Sequence, residues 1–297
     1  MDFRLASIPD AHGPTPGLVV DGVVHALPGH PDTMELFGDW DTSLQVLARR
    51  IEEGDLEPGR PLEEVELLPP VPRPPNLYMA GANYADHARE MRRLGPDDEV
   101  PKPAGGPFMF LKPTTTLVGH RQPVKIGPGA ERVDWEVELA VVIGRRAERV
   151  SAADASDHIA GYTVANDVSV RGRFVREDTG EPPMKFDWFL QKGWATSCPM
   201  GPWLVPAANL PNAQDTPLRL TLNGDVQQDS RTSEMIFSIA EQIEFLSAVV
   251  PLVPGDVICT GTCAGVGAGK GRFLAPGDVM VAEVEGVGRL ENVVEEG

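Results

Sequence analysis

Three carboxylates stand at spacings that suit an oxygen-ligated cation. Glu136 and Glu138 lie two residues apart in Asp134-Trp-Glu-Val-Glu-Leu-Ala-Val-Val-Ile-Gly144, and Asp167 closes Ile159-Ala-Gly-Tyr-Thr-Val-Ala-Asn-Asp. Both runs are rich in β-branched and apolar residues and read as strands. Residues two apart in a strand share a face, so Glu136 and Glu138 stand side by side. Carboxylates at the mouth of a buried strand repel one another and lose hydration, so their pKa values rise unless a cation compensates. A hard divalent ion such as Mg²⁺ is the simplest remedy. A solvated strand face carries the same Glu-x-Glu pair; the third acid, delivered by a second strand end, favours the metal.

A second constellation is His87 and Glu90 in Asn83-Tyr-Ala-Asp-His-Ala-Arg-Glu-Met-Arg-Arg-Leu94, which reads as a helix. Positions i and i+3 share a helix face. A carboxylate beside an imidazole fixes its tautomer and raises its basicity, as a general base acting on water requires. The competing reading is a surface helix laced with charge, since Arg89, Arg92 and Arg93 share it. Arg171 and Lys192 near the acids would serve an anionic substrate and a developing oxyanion, or else are ordinary surface cations. The glycine-rich Thr260–Gly271 stretch is not a Walker A loop, because Ala264 and Gly271 stand where Gly and Ser or Thr are needed. It reads as a flexible loop lending amides and Thr262 to a site.

These residues must be positioned by a chain of 297 residues, 41% apolar, enough for one large or two unequal domains. The net charge of −18 argues against nucleic acid or an anionic membrane as partner. No apolar run reaches the ~18 residues of a membrane span. The N-terminus lacks an apolar signal core, and three sparse cysteines make no disulfide framework, so a cytoplasmic location is expected. Asp21-Gly22 and Asn223-Gly224 mark hairpin turns. Asp41–Glu53 and Ser233–Leu246 read as amphipathic helices. Pro96 to Gly106 reads as a lid. Five prolines between Leu68 and Pro75 mark the best boundary, dividing a small β-rich N-terminal domain (1–70) from a catalytic domain (71–297).

The ordered motifs resemble those of the fumarylacetoacetate hydrolase family over roughly the last three quarters of the chain. They are Gly81-Ala-Asn-Tyr84-Ala-Asp-His87-Ala-Arg-Glu90, Phe110-Leu-Lys-Pro113, the Asp134–Gly144 run, Gly161-Tyr-Thr-Val-Ala-Asn166-Asp167-Val-Ser-Val-Arg171, Lys192 with Cys198-Pro-Met-Gly-Pro-Trp203, Gln228 ahead of Met235-Ile-Phe, and Thr260-Gly-Thr-Cys-Ala-Gly-Val-Gly267. The resemblance implies an α+β, mostly β fold with a rolled mixed sheet, a small N-terminal domain and a homodimer. It implies Mg²⁺, with Mn²⁺ or Ca²⁺ as alternates, on Glu136, Glu138 and Asp167. It implies His87 and Glu90 as the water-activating pair, Lys192 and Arg171 as oxyanion support, and Arg171, Lys192, Thr262 and Tyr84 as substrate contacts.

The implied reaction is hydrolytic C–C cleavage of a small anionic 2-oxo acid or 1,3-dicarbonyl compound. Isomerisation, decarboxylation or dehydration through the same enolate is the alternative, and a non-catalytic member a distant third. The chain departs from the family where Asp-x-Gln usually follows the arginine: Gly172-Arg173-Phe174 stands there, and Phe174 cannot donate to an oxyanion. Ala195 replaces an Asp, and Cys263 replaces the Pro of the Gly-Thr-Pro loop.

Overall fold

The computed structural model describes residues 3–11, 13–30, 32–178 and 181–297. Its centre is the strand Val137–Ile143, seven residues with no exposed member. Apolar side chains on both faces explain this: Val137, Leu139, Val141 and Ile143 enter one core, and Ala140 and Val142 another. The strand pairs antiparallel with Ile159–Asn166 on one side and Val257–Cys259 on the other. It belongs to an eleven-stranded sheet that runs outward through Leu77–Gly81 to the edge strand Phe108–Leu111. In the other direction the sheet continues through Cys198–Pro206 into the N-terminal strands, with Leu5 opposite Leu204. A separate five-stranded sheet carries Pro217–Leu222, Asp225–Arg231, Val279–Val284 and Gly288–Glu296. The fold is α+β and mostly β, with mixed parallel and antiparallel pairing.

The turn chemistry of the sequence is borne out. Asp21 and Gly22 (φ 48° and 77°), and Asn223 and Gly224 (φ 53° and 90°), close their hairpins with the paired positive φ angles of a type I′ turn. The helix expected from Asp41 runs over Trp40–Glu53, with Asp39 as its cap and Gly54 ending it at φ 68°. The helix expected over Ser233–Leu246 begins only at Ile239 and ends at Val249. Ser238 and Glu241 form a capping box there, and the preceding residues make a short turn instead. The Ser238 cap, five residues downstream of Ser233, overrides the apolar periodicity. The proline-rich stretch at 68–75 is packed: Val71 is fully buried, and the Thr33 hydroxyl donates to the Pro70 carbonyl at 2.7 Å. Among the described residues, no helix is long and apolar enough to cross a membrane.

Because the central strand is filled on both faces, truncation there leaves a void that little can collapse into. Leu139→Ala is expected to destabilise the fold by about 2–5 kcal/mol, read as a lowered denaturant midpoint.

Candidate metal centre

Strand register assembles the acids. Val137 pairs with Asn166, so the next residues outward, Glu136 and Asp167, are neighbours across two strand ends. The Asp167 amide donates to the Glu136 carbonyl at 2.9 Å, and the Glu136 amide donates to the Asn166 side chain at 2.9 Å. Glu138, two residues along, adds the third acid, and ligand oxygens of all three lie within 4.8 Å of one another. All three residues are buried. The Val257–Cys259 strand then delivers the Thr260–Gly267 loop over the same mouth, where the Gly261 amide donates to Glu138 at 2.8 Å and the Thr262 hydroxyl donates to the Val137 carbonyl at 2.8 Å.

Cations surround the cluster unevenly. Lys192 bridges Glu136 at 2.9 Å and Asp167 at 2.5 Å, and Arg171 reaches Glu136 at 2.5 Å and Asp134 at 2.9 Å. Lys112, wholly buried, donates to the other oxygen of Asp167 at 2.6 Å and to the Ser197 and Val168 carbonyls. Glu138 has no cation within ion-pair distance among the described residues. Burial, then the charges of Asp167 and Glu136, push its carboxyl well up. Burial also pushes Glu136 up, but Lys192 and Arg171 outweigh it and hold that carboxyl far below its usual range. Lys192 is disfavoured by burial, yet Asp167 and Glu136 keep it protonated above the ordinary lysine range. An all-oxygen, buried set of three carboxylates with one acid left uncompensated fits a hard divalent ion.

The helix Ala85–Arg92 follows the Leu77–Gly81 strand, which runs parallel beside Val257–Cys259 and so ends at the same edge. Asn83 pins its start by donating to the carbonyls of Phe237 and Thr260. His87 Nδ1 lies 3.3 Å from Glu90 Oε2, and both Glu90 oxygens accept from the Gly265 amide at 3.1 Å. Burial pushes Glu90 up, but the bonds from His87 and Gly265 outweigh it, so the carboxylate stays ionised. Gly265 sits at φ 100°, and a Cβ there would meet the Gln227 carbonyl oxygen at 2.0 Å, so this close approach of the loop to the Asp225–Arg231 strand needs glycine.

A cavity of about 370 Å³ joins these parts. Glu136, Asp167, Arg171, Lys192, His87 and Thr262 line it. Phe110, Phe174, Trp188 and Met91 line it as well, together with Gln191 and Arg132. The Trp188 ring lies 5.0 Å from both Phe110 and Phe174. Tyr84, expected at the substrate, is fully buried and is not among the lining residues. Asp134 and Lys112 carried no role in the sequence reading. Asp134 accepts from Arg171 and from the Gly267 and Ala268 amides, tying the glycine-rich loop to the strand. Lys112 lies in the noted Phe-Leu-Lys-Pro motif, and an apolar run ending in a lone lysine was the one available signal.

Known proteins share this fold and much of this sequence. The profile of the fumarylacetoacetate (FAA) hydrolase C-terminal family matches residues 76–295. The human mitochondrial protein named oxaloacetate tautomerase FAHD2A is 36% identical over 303 residues, covering 99% of this chain and 92% of that protein. The crystal structure of 5-carboxymethyl-2-hydroxymuconate delta-isomerase from Mycobacterium smegmatis superposes with a TM-score of 0.75 at 33% identity, covering 99% of both chains. Maleylpyruvate hydrolase from Sphingobium sp. SYK-6, crystallised with manganese(II) and pyruvate, gives a TM-score of 0.79 at 28% identity, again over 99% of both. The fold and site therefore define a class that includes tautomerases, isomerases and hydrolases. The chain belongs to the fumarylacetoacetate hydrolase family.

Two outcomes follow from the charge distribution. Glu138 must be deprotonated to ligate, and burial beside Asp167 and Glu136 pushes its carboxyl up, so Mn²⁺ affinity is expected to rise with pH above the usual carboxylate range and binding to release protons. Calorimetry in buffers of different ionisation enthalpy measures both, and pH-independent affinity would contradict the assignment. Lys112→Met is expected to weaken Mn²⁺ binding about 10–100-fold by freeing Asp167 from its anchor, measured by the same titration.

Proposed function

We propose that the protein is a divalent-metal-dependent enzyme that interconverts keto and enol forms of a 2-oxo acid. The observation that carries this reading is one cavity lined by Glu136 and Asp167 of the acidic cluster, by His87, which Glu90 backs, and by Lys192, with apolar side chains elsewhere along its wall. Glu136, Glu138 and Asp167 would hold the ion, and Mg²⁺ or Mn²⁺ suits them equally. A divalent ion there supplies Lewis acidity that lowers the pKa of a proton α to a carbonyl.

Four buried carboxylates (Asp134, Glu136, Glu138 and Asp167) face three cations (Lys112, Arg171 and Lys192). A divalent ion turns that small negative excess into a positive one, which an anionic oxo acid balances. His87, with Glu90 ionised behind it, takes the α-proton at its ring nitrogen. Lys192 and Arg171 stabilise the enolate oxygen that develops. Thr262, its hydroxyl donating to the Val137 carbonyl, would border the substrate at the cavity wall. The aromatic wall keeps water away from the reacting carbon.

Hydrolytic C–C cleavage, the reaction first expected from the sequence, is the second reading. The same His87–Glu90 pair favours it, since it can activate water as well as take a carbon-bound proton. Against it, Phe174 and Ala195 offer no hydrogen bond to a tetrahedral oxyanion. Relatives of comparable similarity carry tautomerase, isomerase and hydrolase names, and a shared enolisation step is consistent with all three.

With Mn²⁺ present, the protein is expected to collapse the enol absorbance of oxaloacetate, and His87→Ala should slow this about 10²–10⁴-fold. Appearance of pyruvate and a free acid from acylpyruvates, with no effect on the enol band, would establish hydrolysis instead.

A further inference from the structure

Gln191 lines the catalytic cavity and is 3% exposed, yet its Oε1 atom is buried without any hydrogen-bond partner. No hydrogen bond from its Nε2 joins another described residue either. Burying an unpaired carboxamide costs free energy, and such a group in a cavity wall marks a place where a ligand completes the bonding. The position is informative. Gln191 lies on the short helix Trp188–Lys192, one residue before the ammonium that bridges Glu136 and Asp167. It also lies three residues after Trp188, whose ring packs on Phe110 and Phe174, and residues three apart on a helix are surface neighbours. The carboxamide therefore stands where the charged end of the cavity meets its aromatic wall. Phe174, on that wall, carries no hydrogen-bonding group that could do the same work.

We propose that Gln191 is a substrate-binding residue that hydrogen-bonds the oxygen on the fourth carbon of a 2-oxo acid, beyond the two oxygens of the chelating head. The substrate class is then a 2,4-dioxo acid or its enol, with its remaining substituent against Trp188 and Phe110. This rests on the oxo-acid reading above. A carboxamide offers both a donor and an acceptor. It can bind the keto form through Nε2–H to the carbonyl and the enol form through the enol O–H to Oε1. One side chain thus accommodates both sides of the interconversion without a change of charge.

The test compares Gln191→Met with the parent, both in a His87→Asn background to block turnover and both loaded with Mn²⁺. Calorimetry measures binding of pyruvate and of acetylpyruvate, which differ by the acetyl group that carries the fourth-carbon oxygen. Loss of one hydrogen bond is expected to weaken acetylpyruvate about tenfold while pyruvate stays within about twofold. The melting temperature should hold or rise, because an unsatisfied polar group has been replaced by an apolar one of similar shape. Gln191→Ala, which introduces no new contact, should give the same ratio of affinities. Equal affinities before and after substitution would overturn the proposal. So would a parallel loss of both ligands with a lowered melting temperature, the signature of a structural role. If the parent binds neither ligand, the oxo-acid reading falls and this inference with it, a result distinct from a failure of Gln191 alone.

Discussion

The structure depends on keeping four carboxylates out of water at one end of one sheet. Removing a single ionised acid from water without compensation is prohibitive. The fold answers with Lys112, Lys192 and Arg171, each held against the acids, and with backbone amides from the glycine-rich loop. The compensation is incomplete by design of the sequence: Glu138 has an amide but, among the described residues, no cation within ion-pair distance. A buried salt-bridge network is weak evidence for stability, so this one is better explained by what it binds. The same residues that would otherwise strain the core make the site attract a divalent ion and then an anion.

Rigid elements hold the cluster, and longer connections complete it. The Val137–Ile143 strand fixes two acids by alternation and the third by register with Ile159–Asn166. Val257–Cys259 and Leu77–Gly81 lie next in the same sheet, so the glycine-rich loop and the His87 helix emerge at the same edge. This is why residues far apart in sequence, at 87, 136, 167, 192 and 262, share one cavity. Glu90 and Asp134 join the parts: one ties helix to loop through Gly265, the other ties loop to strand through Gly267 and Ala268.

Much of this was legible in the sequence, for physical reasons. Period-two alternation in Glu-Val-Glu and the apolar run after it determine both a strand and a shared face. Asp-Gly and Asn-Gly determine turns because few other pairs accept two positive φ angles. What was not legible depends on contacts between distant segments. Lys112 looks like any lysine until three acceptors converge on it. Gln191 looks like an ordinary helical residue until the fold buries it in the cavity lining with its Oε1 unpaired. Ser233–Leu246 shows the opposite error: its periodicity was sound, but the Ser238–Glu241 cap decided where the helix begins. Tyr84 matched a motif, yet the core around it, not the cavity, takes its ring.

The central claim is that Glu136, Glu138 and Asp167 ligate one divalent ion. Anomalous diffraction from a crystal soaked in Mn²⁺ tests it most directly. A single strong manganese peak within bonding distance of all three carboxylates, with the Lys192 ammonium still in reach of the site, is the result expected. A manganese peak elsewhere, or none while Lys192 continues to bridge Glu136 and Asp167, would contradict it.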